Sequence, residues 1–81
     1  MYAILYNGEL LLCRYVHEDD AIAIAQRLAH GLSNEYGRFK TCVHTFRPFN
    51  RTIWNPTVTV LEKTARSPRP VLETFAIVRR S

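Results

Sequence analysis

The sequence predicts a two-layer α+β sandwich in which one amphipathic helix packs on one face of a mainly antiparallel sheet, in the order ββαβββ. Three observations carry this expectation. An Asn-Gly pair separates two apolar runs near the start, apolar residues then recur at helical spacing, and three β-rich runs follow between proline-bearing turns.

The first two strands are YAILY, residues 2–6, and ELLLCRYV, residues 9–16, on either side of Asn7 and Gly8. Both central residues of a type I′ turn need positive φ, so Asn-Gly is a strong short-range hairpin signal. A two-residue loop predicts the pairs Tyr6 with Glu9, Leu5 with Leu10, Ile4 with Leu11, Ala3 with Leu12 and Tyr2 with Cys13. One face then carries Ala3, Leu5, Leu10 and Leu12; the other carries Tyr2, Ile4, Leu11, Cys13 and Tyr15. Both are apolar. A single helix covers only one face of an antiparallel sheet. The second is expected to be covered by the segment 47–56, by a second copy of the chain in a homodimer, or by a partner protein.

HEDDAIAIAQRLAHGL, residues 17–32, reads as the helix. Glu18, Asp19 and Asp20 crowd its start, where the helix dipole favours negative charge. Ala21, Ile24, Ala25, Leu28 and Leu32 form the predicted inner stripe, flanked by Ile22 and Ala29. Its end falls at Gly31 or, if the helix continues through Glu35, at Gly37. After Gly37 come a strand RFKTCVHTF, a ten-residue loop RPFNRTIWNP, a strand TVTVLEKT, a turn ARSPRP and a last strand VLETFAIVRR.

At 81 residues, 47% hydrophobic and 22% charged, the chain reads as one globular domain, 1–81, able to bury roughly 60% of its unfolded surface. No apolar run approaches the ~18 residues of a membrane span, and no basic segment with a long apolar core opens the chain. The expectation is a cytoplasmic protein with no membrane partner. Cys13 and Cys42 form neither a disulfide framework nor a Cys-x-x-Cys pair, and reduced thiols are expected. The Cys42/His44 and Cys13/His17 spacings match no established zinc pattern, and no metal or other cofactor is expected. The three glycines make no phosphate-cradling loop, and no nucleophile-base arrangement is apparent. A catalytic role is not expected.

Charge carries more information. The chain has net charge +4 and a pI near 9.5, unevenly spread. Residues 1–36 hold two Arg against five Asp and Glu, a net −3; residues 37–81 hold nine Lys and Arg against two Glu, a net +7. The C-terminal half therefore attracts polyanions or an acidic protein surface. Two candidate sites follow. Arg47, Phe49, Arg51 and Trp54, in the ten-residue loop, are residue types that dominate binding hot spots and are the first candidate for partner binding. Arg38 and Lys40, expected on one strand face with Cys42, His44 and Phe46, together with Arg66 and Arg69 in the basic turn, are the alternative candidate for nucleic-acid binding. Phe39 and Val43 are expected in the core.

The opening YAILYNGELLLCRYVHEDDAIAIAQRLA and the short strands after it resemble, in size and layout over the whole chain, the compact proteins encoded by bacteriophages and mobile elements, anti-CRISPR inhibitors among them. The resemblance implies a stoichiometric inhibitor that docks on a host protein or ribonucleoprotein complex such as a CRISPR effector, its basic patch opposite acidic protein or guide RNA. Several such inhibitors are acidic DNA mimics; this chain is basic, which speaks against a direct DNA-mimic mechanism.

Overall fold

The computed structural model describes residues 1–50 and 54–80, so Arg51, Thr52, Ile53 and Ser81 lie outside the described residues. Its elements are β1 (Tyr2–Tyr6), β2 (Glu9–Tyr15), α1 (Glu18–Tyr36), β3 (Thr41–Phe46), β4 (Thr57–Glu62) and β5 (Val71–Arg79). All five strands form one antiparallel sheet in the order β2-β1-β5-β4-β3, with α1 packed against it. The predicted ββαβββ order holds.

The first hairpin turns as expected, with Asn7 at φ 49° and Gly8 at φ 88°. Tyr6 pairs with Glu9 and Leu5 with Leu10, but Ile4 then pairs with Leu12, Ala3 with Cys13 and Tyr2 with Tyr15. Leu11 and Arg14 are thus extra residues on β2, and the expected pairs beyond Leu10 are displaced. A bulge re-aims the residues after it. Here it delivers Leu12 to the helix side beside Ile4, where it packs against the core, instead of to the uncovered face.

The helix also corrects the expected stripe. Its buried residues are Ala21, Ile22, Ala25, Ala29 and Ser33, while Ile24 is only partly buried and Leu28 is 37% exposed. The inner line is made of small side chains four residues apart, which lets the helix backbone lie close to the sheet. Polar contacts set where it lies. The Ser33 and Thr41 hydroxyls are 2.7 Å apart, Thr41 also donates to the Ser33 carbonyl at 3.2 Å, and Gln26 Nε2 donates to Thr45 Oγ1 at 3.0 Å. These bonds tie the helix to β3. A spacing argument ranks leucines above serine and could not foresee that a buried Ser33 would be satisfied by Thr41.

The helix ends at the later of the two expected positions. Gly37, at φ 106°, caps it with its N–H directed at the Ser33 and Asn34 carbonyls. Between sheet and helix lie Ile4, Val58, Val60, Phe75 and Ile77, all essentially inaccessible to solvent. The face away from the helix carries Ala3, Leu5, Ala76 and Val78 along its middle, with Thr57, Thr59 and Thr74 beside them. Leu5, Ala76 and Val78 remain partly exposed there. Among the described residues no helix is long and apolar enough to cross a membrane.

Candidate interaction surfaces

The connection from β3 to β4 leaves the sheet after Phe46 and rejoins it at Thr57. Its two prolines, Pro48 and Pro56, are buried, and the Pro56 carbonyl accepts a hydrogen bond from the Ile77 N–H at 2.9 Å. Both ends are therefore fixed to the sheet. Between them, Phe49 is fully exposed and Trp54 is 60% exposed, while Phe46, at the end of β3, is 45% exposed. The Trp54 backbone N–H donates to the Asn50 carbonyl at 3.1 Å. The fourth residue type expected here behaves differently: Arg47 Nη1 lies 3.0 Å from Asp19 Oδ1, so its guanidinium ties the loop to the first turn of α1. Both partners are well exposed, and such a pair contributes about 0.2–1 kcal/mol at most. Arg47 is thus a brace as well as a candidate contact; Arg51 lies outside the described residues.

The second surface departs from the expected strand face. β3 begins at Thr41, so Arg38, Phe39 and Lys40 belong to the turn that follows Gly37, in which Lys40 N–H donates to the Gly37 carbonyl at 2.8 Å. Arg38 and Lys40 therefore do not continue the row of Cys42, His44 and Phe46. Phe39 is not in the core but 80% exposed, with the Arg38 guanidinium 4.9 Å above its ring. Val43 does pack against the core. The turn shape prevails because the Gly37 backbone redirects the chain before the ladder starts.

Lys63 joins this group unforeseen. Its Nζ donates to the Arg38 carbonyl at 3.0 Å and its N–H to the Lys40 carbonyl at 2.8 Å. Arg66 sits in the β4–β5 hairpin, where its N–H donates to Thr64 Oγ1 at 2.8 Å, and Arg69 Nη1 reaches across to Cys42 Sγ at 3.4 Å. The ladders thus gather Arg38, Lys40, Lys63, Arg66 and Arg69 at one end of the sheet. Among the described residues none of the five lies in an ion pair, in contrast to Arg47.

A third cluster escaped the sequence reading. Glu73 accepts hydrogen bonds from Tyr6 Oη at 2.6 Å and Asn7 Nδ2 at 2.7 Å on one oxygen, and from Tyr36 Oη at 3.0 Å on the other. Asn7 adds two bonds to Thr74, through its N–H at 2.8 Å and its Oδ1 at 2.9 Å. One carboxylate therefore joins β5, the first hairpin and the last turn of α1. The available clue was a glutamate in a strand row shared with Val71, Phe75 and Ile77, a position that demands donors.

The Tyr6 and Asn7 hydrogen bonds, with a smaller share from Tyr36, hold the Glu73 carboxyl below its ordinary 4.5 against the opposing effect of burial. The same bonds hold the Tyr6 and Tyr36 phenols above 10.0. In the unfolded chain the glutamate takes up its proton at a higher pH than in the fold. Its stabilisation is therefore complete above pH 4.5 and is lost as pH falls through the lowered value. The phenols work in the opposite sense: their share is complete below pH 10.0 and is lost as pH rises through the raised values. Urea unfolding along a pH series is expected to show Glu73→Gln less stable than the parent at neutral pH, with the gap closing below pH 4.5. A gap that stays constant through the acid range contradicts this account.

A cleft of about 390 Å³ opens beside the helix, lined by Tyr6, Leu11, Leu28, Gly31, Leu32 and Phe75, with Arg27 and Glu35 at its rim. It follows from the helix position: α1 is tied to β3, and the β2 side of the sheet is left wide. Among the described residues no three His, Cys, Asp or Glu side chains come together as metal ligands, and Cys13 and Cys42 are free. Comparison of the chain with protein-family models, with curated proteins and with solved structures gives no match.

Proposed function

We propose that the chain is a non-catalytic protein-interaction module that docks through Phe49 and Trp54 on the β3–β4 connection. The observation that carries this reading is the exposure of two large aromatic side chains on a segment whose ends are fixed by buried prolines. Fixing the ends of a connection before it binds lowers the entropy lost on association. Aromatic anchors of this size supply most of the binding energy in many interfaces. The experiment is a pull-down from bacterial lysate with the parent and with Phe49→Ala/Trp54→Ala. A partner held by the parent and released by the double variant supports the reading; equal recovery by both removes it.

A second reading rests on the basic end. Five cations, none in an ion pair among the described residues, gather at one end of the sheet, where the Arg38 guanidinium lies over an exposed Phe39, and basic side chains with a stacking ring are what single-stranded nucleic acid requires. Retention of oligonucleotides that weakens steeply with added salt supports it; no retention at low salt removes it. An inhibitor of a host ribonucleoprotein, a CRISPR effector among such targets, would use the two surfaces together, the aromatic loop on protein and the basic end on RNA.

A further inference from the structure

The sheet has two edges, and they are built differently. β2, at one edge, is broken by two bulges and carries Glu9 and Arg14. Bulges and charges are the usual means of keeping an exposed edge from pairing with another chain. β3, at the other edge, has neither. Its six residues, Thr41 to Phe46, pair with β4 without a register break and include no charge, proline or glycine.

The free side of β3 can be assigned residue by residue. Lys63 N–H donates to the Lys40 carbonyl, and hydrogen-bonded pairs alternate along an antiparallel ladder. Cys42, His44 and Phe46 therefore bond to β4, while the N–H and C=O groups of Thr41, Val43 and Thr45 point away from it; Thr41 is buried, at 3% exposure, so Val43 and Thr45 are the accessible positions. That side offers a short template, from Cys42 to Phe46, about 16 Å long.

We propose that β3 binds an extended, acidic segment of a partner protein as an added antiparallel strand. Charge selects this occupant over a second copy of the chain. A two-fold pairing of β3 with itself, centred on Val43, sets the Arg38–Lys40 turn of each copy against Phe46 to Pro48 of the other, where Asp19 is already taken by Arg47, so the turn gains no carboxylate. An added antiparallel strand instead places the residues that follow it beside Arg38 and Lys40, with Lys63, Arg66 and Arg69 behind them. Carboxylates there meet five cations that have no ion-pair partner among the described residues. The added strand also continues towards the Phe49–Trp54 connection, so both contacts can serve one partner. The inference takes from the proposed function only that the partner is a protein.

The test uses the parent protein and a synthetic peptide of about eight residues, long enough to span β3, with alternating valine and threonine ending in aspartates. Amide hydrogen exchange read by NMR is expected to slow at Val43 and Thr45 when the peptide is added. A peptide with lysines in place of the aspartates is expected to bind roughly tenfold more weakly or worse. One N-methylated on the backbone nitrogens facing β3 is expected to give no protection. No slowing at these two amides overturns the proposal, as does protection of β2 instead. Equal binding of the lysine peptide overturns the acidic partner, and equal binding of the N-methylated peptide overturns strand addition. Protection that grows with protein concentration in the absence of peptide makes a second copy the occupant and overturns it as well. Because the protein is unaltered here, failure of this test is separate from failure of the Phe49→Ala/Trp54→Ala pull-down.

Discussion

Replacing Phe75 with alanine is expected to destabilise the protein by about 3–5 kcal/mol. Phe75 is 2% exposed, the largest of the fully buried side chains, and its ring lies 4.9 Å from that of Tyr6. It sits on β5, the central strand, where the sheet, the helix and the Glu73 cluster meet. Removing the ring forfeits its transfer from water and leaves a cavity under a helix that its Ser33 and Gln26 bonds hold in place, so collapse is incomplete. Against a total stability of order 5–15 kcal/mol for a domain, that loss is a large fraction. In urea the midpoint is expected to fall sharply with an unchanged slope. Leu28→Ala is the informative contrast. With Leu28 lining the cleft at 37% exposure, its truncation is expected to cost about 1 kcal/mol. Equal losses at the two positions would mean that the helix lies with its leucine stripe inward, contrary to the alanine and serine line described above.

The second large effect concerns binding. Truncating Phe49 and Trp54 is expected to weaken the complex with the recovered partner by at least about 2 kcal/mol, roughly 30-fold in Kd, while leaving stability within about 0.5 kcal/mol. The two expectations separate because neither side chain belongs to the core. Arg47→Ala is expected to matter less, since Arg47 already shares its charge with Asp19. Titration calorimetry of the purified pair, alongside urea unfolding of each variant, measures both quantities. A fall in affinity accompanied by an equal fall in stability would assign the loop a structural role instead.

The sequence made the architecture readable because its signals are local. Asn7-Gly8 sets a turn by backbone geometry alone, and apolar spacing separates a 19-residue helix from five strands. What it hid depends on contacts between distant residues. The bulge at Leu11 answers to the helix face that Leu12 fills. The burial of Ser33 depends on Thr41, eight residues on and in another element. Phe39 looked like a core residue in an assumed strand; the Gly37 turn placed it outside under Arg38. Of the candidate sites, loop length and prolines left two outcomes open for Phe49 and Trp54, exposure or folding onto the second sheet face. The engagement of Arg47 with Asp19 and the recruitment of Lys63 to the basic end could not be anticipated, because both join segments that only the folded sheet and helix bring together.

Trp54 is the single tryptophan in the chain, so its fluorescence reports directly on whether the β3–β4 connection presents a free aromatic anchor. In the isolated protein, emission is expected to match that of a water-exposed indole, with quenching by acrylamide close to that of the unfolded chain. Adding the partner is expected to shift the emission to shorter wavelength and to suppress quenching. Blue-shifted, quencher-protected emission from the isolated protein would show the indole folded onto the sheet, and would contradict the assignment of this loop as the docking surface.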